Sequence, residues 1–288
     1  MCQSDEVVVR TSEFGELLPR RIAMPSEEDL LAFTVTGAWM TVVAQYIIGL
    51  AAALSGDVDY AQALYESALE SASTISADSP VAAKIISRIP QRVAELHEAR
   101  ANAALILWRE TKDPAAAVAL KSHLDNITPQ ILSGLRYVHL RAVAAFLVDR
   151  DVDQALSILD SARDRADALW YWNAGFLYAY KGNLKKATQL YRNGTLIALP
   201  AEIPAQLEEF ITHILITEPE KTQLHYCLGL LNRDVKGDSI RALEEFDSFL
   251  AKTPEGVFER DKVVVKKWKA ALMSANNGES GNDDERDA

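Results

Sequence analysis

Apolar residues recur along this chain at helical spacing, in paired segments broken by short polar turns. The clearest stretch is 170–194, WYWNAGFLYAYKGNLKKATQLYRNG, in which Gly175 and Ala187 lie twelve residues apart. Tyr178 comes three residues after the glycine, Tyr191 four after the alanine, and Gly182-Asn183 marks a turn between them. This predicts two antiparallel helices that cross at two small residues and lock with two large ones.

The pattern recurs. Gly49 and Ala61 are also twelve residues apart, with Gly56 in the turn and Tyr65 and Ala68 beyond it. A looser copy has Leu105 in the glycine place, Trp108 as its large residue, Asp113-Pro114 at the helix start, then Ala117 and Pro129. The next has Val143, Phe146, the turn Asp151-Val152-Asp153, Ala155 and Ala162. The last has Gly229, Gly237, Ala242, Phe246 and Pro254, with thirteen residues from Gly229 to Ala242; the extra one is placed in the turn 234–238. The marker alanines 61, 117, 155, 187 and 242 are separated by 56, 38, 32 and 55 residues. The two long intervals each hold an additional predicted helix, at 80–89 (stopped by Pro90) and at 204–217. Residues 255–274 read as a capping helix with Val257, Val264, Trp268 and Leu272 available for packing.

These spacings resemble the tetratricopeptide repeat (TPR) over about residues 40–255, a class with a period of about 34 residues. The resemblance implies an all-α fold: a right-handed α-solenoid of about five TPR-like helix pairs with two inserted helices and a C-terminal capping helix. It also implies that the first helix of each pair lines a concave surface. The expected organisation is an N-terminal arm or truncated junction at 1–28, a helical solenoid at 29–274 and a disordered acidic tail at 275–288. The arm is short and extended, with strand character at 6–10 and a helix-start signal at Ser26.

Leu30 to Gly56 contains no charged residue, and this length could span a bilayer. Thr34, Thr36, Gly37, Thr41 and Gln45 dilute its hydrophobicity, so it is read as a buried helix pair. The formal charge of −11 disfavours nucleic acid and anionic membranes as partners. Cys2 and Cys227 are the only cysteines, and no secretory signal is visible, so the chain is expected to be reduced and cytoplasmic.

Chemistry is sparse. There is no GxxxxGK[ST], GxGxxG, HExxH or CxxC, and His97, His123, His139, His213 and His225 stand singly. No enzyme activity, cofactor or metal is expected. Cys227 and His225, two apart on a helix, point away from each other. The acid pairs Glu208-Glu209 and Glu244-Glu245 read as solvated helix faces.

The candidate functional residues are those the repeat does not require. Trp172, Phe176 and Tyr180 form an aromatic stripe at i, i+4 and i+8. It reads either as covered by the inserted helix 204–217 or as a groove for an apolar anchor of a partner peptide. The corresponding positions elsewhere are Asn102, Ile106 and Arg109, then Tyr137 and Arg141, then Tyr226 and Arg233, whose arginines suit a carboxylate. The Lys/Asn clamp of chaperone-binding TPR proteins is not expected, because Tyr46 and Leu50 occupy its positions and only Asn173 fits.

The resulting expectation is a noncatalytic interaction or scaffold module that binds a partner protein or peptide, with self-association left open. Two other readings fit the same sequence. One is the regulatory region of a larger enzyme, and the other is a membrane-tethered assembly factor using residues 30–54.

Overall fold

The computed structural model describes residues 39–73, 80–128, 131, 134–200 and 202–279; the arm, Ser26 and residues 280–288 lie outside them. Every regular element among the described residues is helical. The chain divides after Arg150 into two compact units.

The first unit holds α1 (Trp39–Ser55), α2 (Val58–Ser73), α3 (Pro80–Thr111), α4 (Pro114–Asp125) and α5 (Leu135–Asp149). The second holds α6 (Val152–Asp160), α7 (Ala168–Tyr180), α8 (Leu184–Gly194), α9 (Ile203–Thr217), α10 (Gln223–Leu231), α11 (Ser239–Lys252) and α12 (Glu259–Glu279). Several helices begin where the sequence supplies an acceptor for their first free N–H groups. Asp113 accepts from the Ala115 amide at 2.9 Å, Asp151 from Gln154 at 2.8 Å, Asp167 from Trp170 at 2.7 Å, Asn183 from Lys186 at 3.1 Å and Asp238 from Arg241 at 3.0 Å. The turns after α1 and α7 pass through the left-handed region at Gly56 (φ +86°) and Gly182 (φ +83°), which costs glycine little.

Three helix pairs close on the same contact. A β-carbon added at Gly175 would lie 2.3 Å from Cε1 of Tyr191; at Gly49 it would lie 2.8 Å from Tyr65, and at Gly229 2.3 Å from Phe246. In each case a ring on the second helix fills the space left by the missing side chain on the first. Tyr65, Tyr191 and Phe246 are at most 1% exposed, and the marker alanines Ala61, Ala187 and Ala242 are fully buried. The looser copies keep the small residue without the glycine: Ala117 and Ala155 are buried in their own units, as are the large residues Trp108 and Phe146.

The longer spacing in the last pair has a visible cause. Between α10 and α11, residues Asn232–Lys236 form one π-helical turn, and the Asp238 amide reaches back to the Asn232 carbonyl at 2.9 Å. This widened turn absorbs the extra residue and keeps Phe246 opposite Gly229.

Several expectations are corrected. Pro90 does not stop a short helix, since α3 runs through it as a single element of 32 residues. Ile86, Ile89, Val93 and Leu96 pack on one side into the core formed by α1 and α2, so the apolar stripe continues across the proline. That burial offsets a penalty of about 3 kcal/mol for an interior proline. The capping helix α12 continues to Glu279, which places 275–279 in helix rather than in the tail. On it Val265, not Val264, is the buried valine, and Val257 is exposed. Pro129 lies outside the described residues. Of the apolar stretch 30–56, residues 39–55 form the single helix α1, and no helix among the described residues is long and apolar enough to cross a membrane.

A prediction follows from the glycine–ring contacts. On an open helix Gly→Ala stabilises by about 1 kcal/mol. Gly175→Ala and Gly229→Ala should instead lower stability by about 1–3 kcal/mol, because the rings have no free volume to move into. Denaturant unfolding checks this, and a net stabilisation by either substitution would contradict the packing described.

Candidate binding channel

The aromatic stripe divides among three environments. Trp172 is 1% exposed and stacks on Tyr191 with ring centroids 4.5 Å apart, so it belongs to the α7–α8 interface. Its room comes from Gly194, where an added β-carbon would sit 2.9 Å from the indole Nε1. Phe176 is buried and meets Phe210 of the inserted helix α9 edge-on at 5.2 Å. The Tyr180 hydroxyl donates to Glu218, and the Lys221 ammonium lies 4.2 Å from its ring centre. Phe176 and Tyr180 are therefore covered by α9 and the turn after it, and Trp172 by α8. Tyr178, expected as a wedge, is only half-buried.

The flanking candidates are also engaged in their own units. Asn102, Ile106 and Arg109 lie half-buried along α3. On α5 Tyr137 is buried and receives a hydrogen bond from Arg141 at 3.1 Å. In the second unit Arg233 pairs with Asp234 and lies over Trp268, its Cζ 4.2 Å from the ring centre. Tyr226 is 1% exposed, and its hydroxyl is hydrogen-bonded to that of Thr188.

Tyr226 nonetheless leads to an opening. Between α8 and α12 runs a channel of about 490 Å³, a volume typical of small-ligand and peptide sites. One wall is the outer face of α8, with Lys185, Thr188 and Arg192 at i, i+3 and i+7 and Gln189 and Asn193 beside them. The facing wall of α12 repeats the spacing with Asp261, Val264 and Trp268. Tyr226 forms the floor. Trp268 is held by contacts with Tyr226 (5.7 Å between ring centres) and Phe246 (5.8 Å), so the ring that fills the space over Gly229 also supports the channel. Burial raises the Asp261 carboxyl above its usual range.

The arrangement joins an apolar seat with polar groups and two cations on rigid helices. A second opening of about 560 Å³ has a wall built largely from residues 194–199 after α8, and its Lys236 is already paired with Glu208. Of the two, the α8–α12 channel is the one with aromatic residues in its lining.

Of the ten residues singled out in the sequence, only Tyr226 lines this channel, with Arg233 behind Trp268. In the sequence Trp268 and Val264 read as packing residues, and the polar face of α8 is not among the candidates. A signal was present: α8 carries Lys185, Lys186 and Arg192 and no acid, within a chain of net charge −11.

Other reactive groups have structural places. Cys227 is fully buried beside Tyr191, and burial pushes its thiol up to about 12, which keeps it protonated. His225 bonds Glu245 through Nδ1 at 2.7 Å, and Glu208 pairs with Lys236 and Arg241, so these acids serve as partners between helices rather than as solvated faces. Among the described residues no group of three His, Cys, Asp or Glu is placed to hold a metal. In the first unit His97 and His123 lie with ring centres 5.9 Å apart. Burial is the main cause holding both below the ordinary histidine value; for His97 the neighbouring His123 and Arg100 act in the same direction, and for His123 Arg100 does.

No protein-family model matches the chain, no curated protein matches it, and no solved structure matches it.

Two outcomes are expected from this geometry. Trp172→Ala should cost about 3–5 kcal/mol of stability through the void it leaves; a loss below about 1 kcal/mol in denaturant unfolding would contradict its burial. The unfolded chain takes up protons on its histidines near pH 6.5, which folded His97 and His123 resist, so acidification favours unfolding. The Tm advantage of the native chain over His97→Gln/His123→Gln should therefore shrink as pH falls from about 7.5 through 6.5. A pH-independent difference would contradict it.

Proposed function

We propose that this chain is a noncatalytic, TPR-like binding module that takes a short partner peptide in the channel between α8 and α12. Three glycine-to-ring contacts, with ring 16, 16 and 17 residues after glycine, support a repeated helix-pair architecture. Inserted helix α9 covers Phe176 on the face that such an array would otherwise use. An open concavity with an aromatic seat among the described residues is the α8–α12 channel, and this observation carries the reading.

Peptide recognition in helix-lined grooves depends on an apolar anchor that desolvates a pocket and on polar groups that fix direction. Trp268 and Val264 can receive the anchor. Gln189 and Asn193, with both donors and acceptors, can hold the backbone of an extended segment. Tyr226 and Thr188, bonded to each other, close the floor.

Selection of a short-peptide display library on the full chain should enrich binders. Val264→Trp, which fills the channel from a partly exposed position, should weaken the enriched peptides by at least about tenfold, the equivalent of ~1.4 kcal/mol. Ile240→Trp, on the exposed face of α11 outside the channel, should leave them unchanged. Equal binding by the native chain and Val264→Trp would place the site elsewhere.

A further inference from the structure

The electrostatics of the two walls say which peptides the channel takes. This step rests on the peptide-binding reading above and narrows it. Arg233, Lys236, Arg241, Lys262 and Lys269 in the same unit each lie against a carboxylate. Lys185 and Arg192, exposed on the channel wall, have no ion-pair partner among the described residues, and α8 carries no acid that could supply one. Two cations beside an apolar seat, faced by the one carboxyl of Asp261, form a locally positive lining in a protein with an excess of eleven negative charges.

We infer that the occupant is a short acidic segment of a partner protein, with an apolar side chain flanked by carboxylates. The apolar residue sits on Trp268 and Val264, and the carboxylates reach Lys185 and Arg192. Seven helical residues separate the two cations, a rise of about 10.5 Å. An extended peptide advances about 3.3 Å per residue, so carboxylates two to four positions apart match that span within the reach of long side chains. The single acid of the channel, Asp261, lies on the opposite wall, half-buried, where a backbone amide of the guest can bond it.

The test uses the full chain and three fluorescein-labelled probes read by anisotropy. One carries phenylalanine flanked on each side by aspartate and glutamate; the others have those acids replaced by asparagine and glutamine, or by lysine. The acidic probe should bind at least about tenfold more tightly than the amide probe, with the advantage shrinking at high salt as charges are screened. Lys185→Glu/Arg192→Glu, at two exposed positions, should abolish that advantage while helix content by circular dichroism stays unchanged.

Equal affinity for the acidic and amide probes, with both lost in Val264→Trp, would overturn the acidic assignment and leave the peptide channel standing. Failure of all three probes, together with an unenriched display library, would remove both. The remaining occupant is the chain's own acidic C-terminal sequence. If Asp283→Asn/Asp284→Asn/Asp287→Asn in the full chain tightened the acidic probe tenfold, the guest would be that segment, and the partner assignment would fall.

Discussion

The contact on which the described packing most depends is a ring inserted where a side chain is missing. At Gly49, Gly175 and Gly229 the helix surface is open down to its backbone, and Tyr65, Tyr191 and Phe246 occupy that opening. The glycine costs helix propensity of about 1 kcal/mol, and burial of a large ring offsets it. The consequences extend beyond each pair. Phe246, seated over Gly229, is one of the surfaces on which Trp268 rests, and Trp268 with Tyr226 shapes the channel beside α8. Spacing in the sequence thus propagates into packing, and packing into a concavity with an aromatic seat.

Much of the helical architecture can be read from residues whose local role leaves little choice. Gly175 with Ala187, Gly49 with Ala61, and the Asp or Asn at helix starts locate pairs and their turns, because crossing distance and unsatisfied amides are local constraints. The extra residue between Gly229 and Ala242 was legible as well, and its form, a π turn, is a local way to keep register. Pro90 shows the limit of such reading. Proline lowers the stability of a helix interior by a fixed amount, but whether the helix ends there depends on tertiary burial of Ile86, Ile89 and Val93, which no local rule contains.

The site was less legible, for a geometric reason. Tyr171, Trp172 and Tyr178 are all large residues near Gly175, and which of them faces α8 depends on where the partner helix leaves space. Gly194 leaves that space opposite Trp172, since side chains lean toward the N-terminus of their helix and α8 ends there. With Trp172 in the interface, Phe176 turns toward α9 and Tyr180 toward Glu218. A functional reading of the stripe required knowing what the inserted helix covers. The spacing of α9 was visible in the sequence, but its docking was not. Conversely, the wall of α8 contains only ordinary surface residues, and it becomes a site only through its position opposite Trp268.

The same distance dependence reconciles the acidic chain with an acidic guest. A long polyanion such as nucleic acid samples the whole surface, where −11 opposes it and no counterion release from an extended basic face compensates. A peptide of a few residues in a channel of about 490 Å³ samples charges within about one screening length, ~8 Å at physiological salt. The charged groups that line the channel are Lys185 and Arg192 on one wall and the single carboxyl of Asp261 on the other. On the proposed reading, net charge opposes large polyanionic partners, and the arrangement of α8 against α12 selects the small segment. The acidic remainder of the surface adds selectivity, because it disfavours any longer acidic stretch that extends beyond the channel.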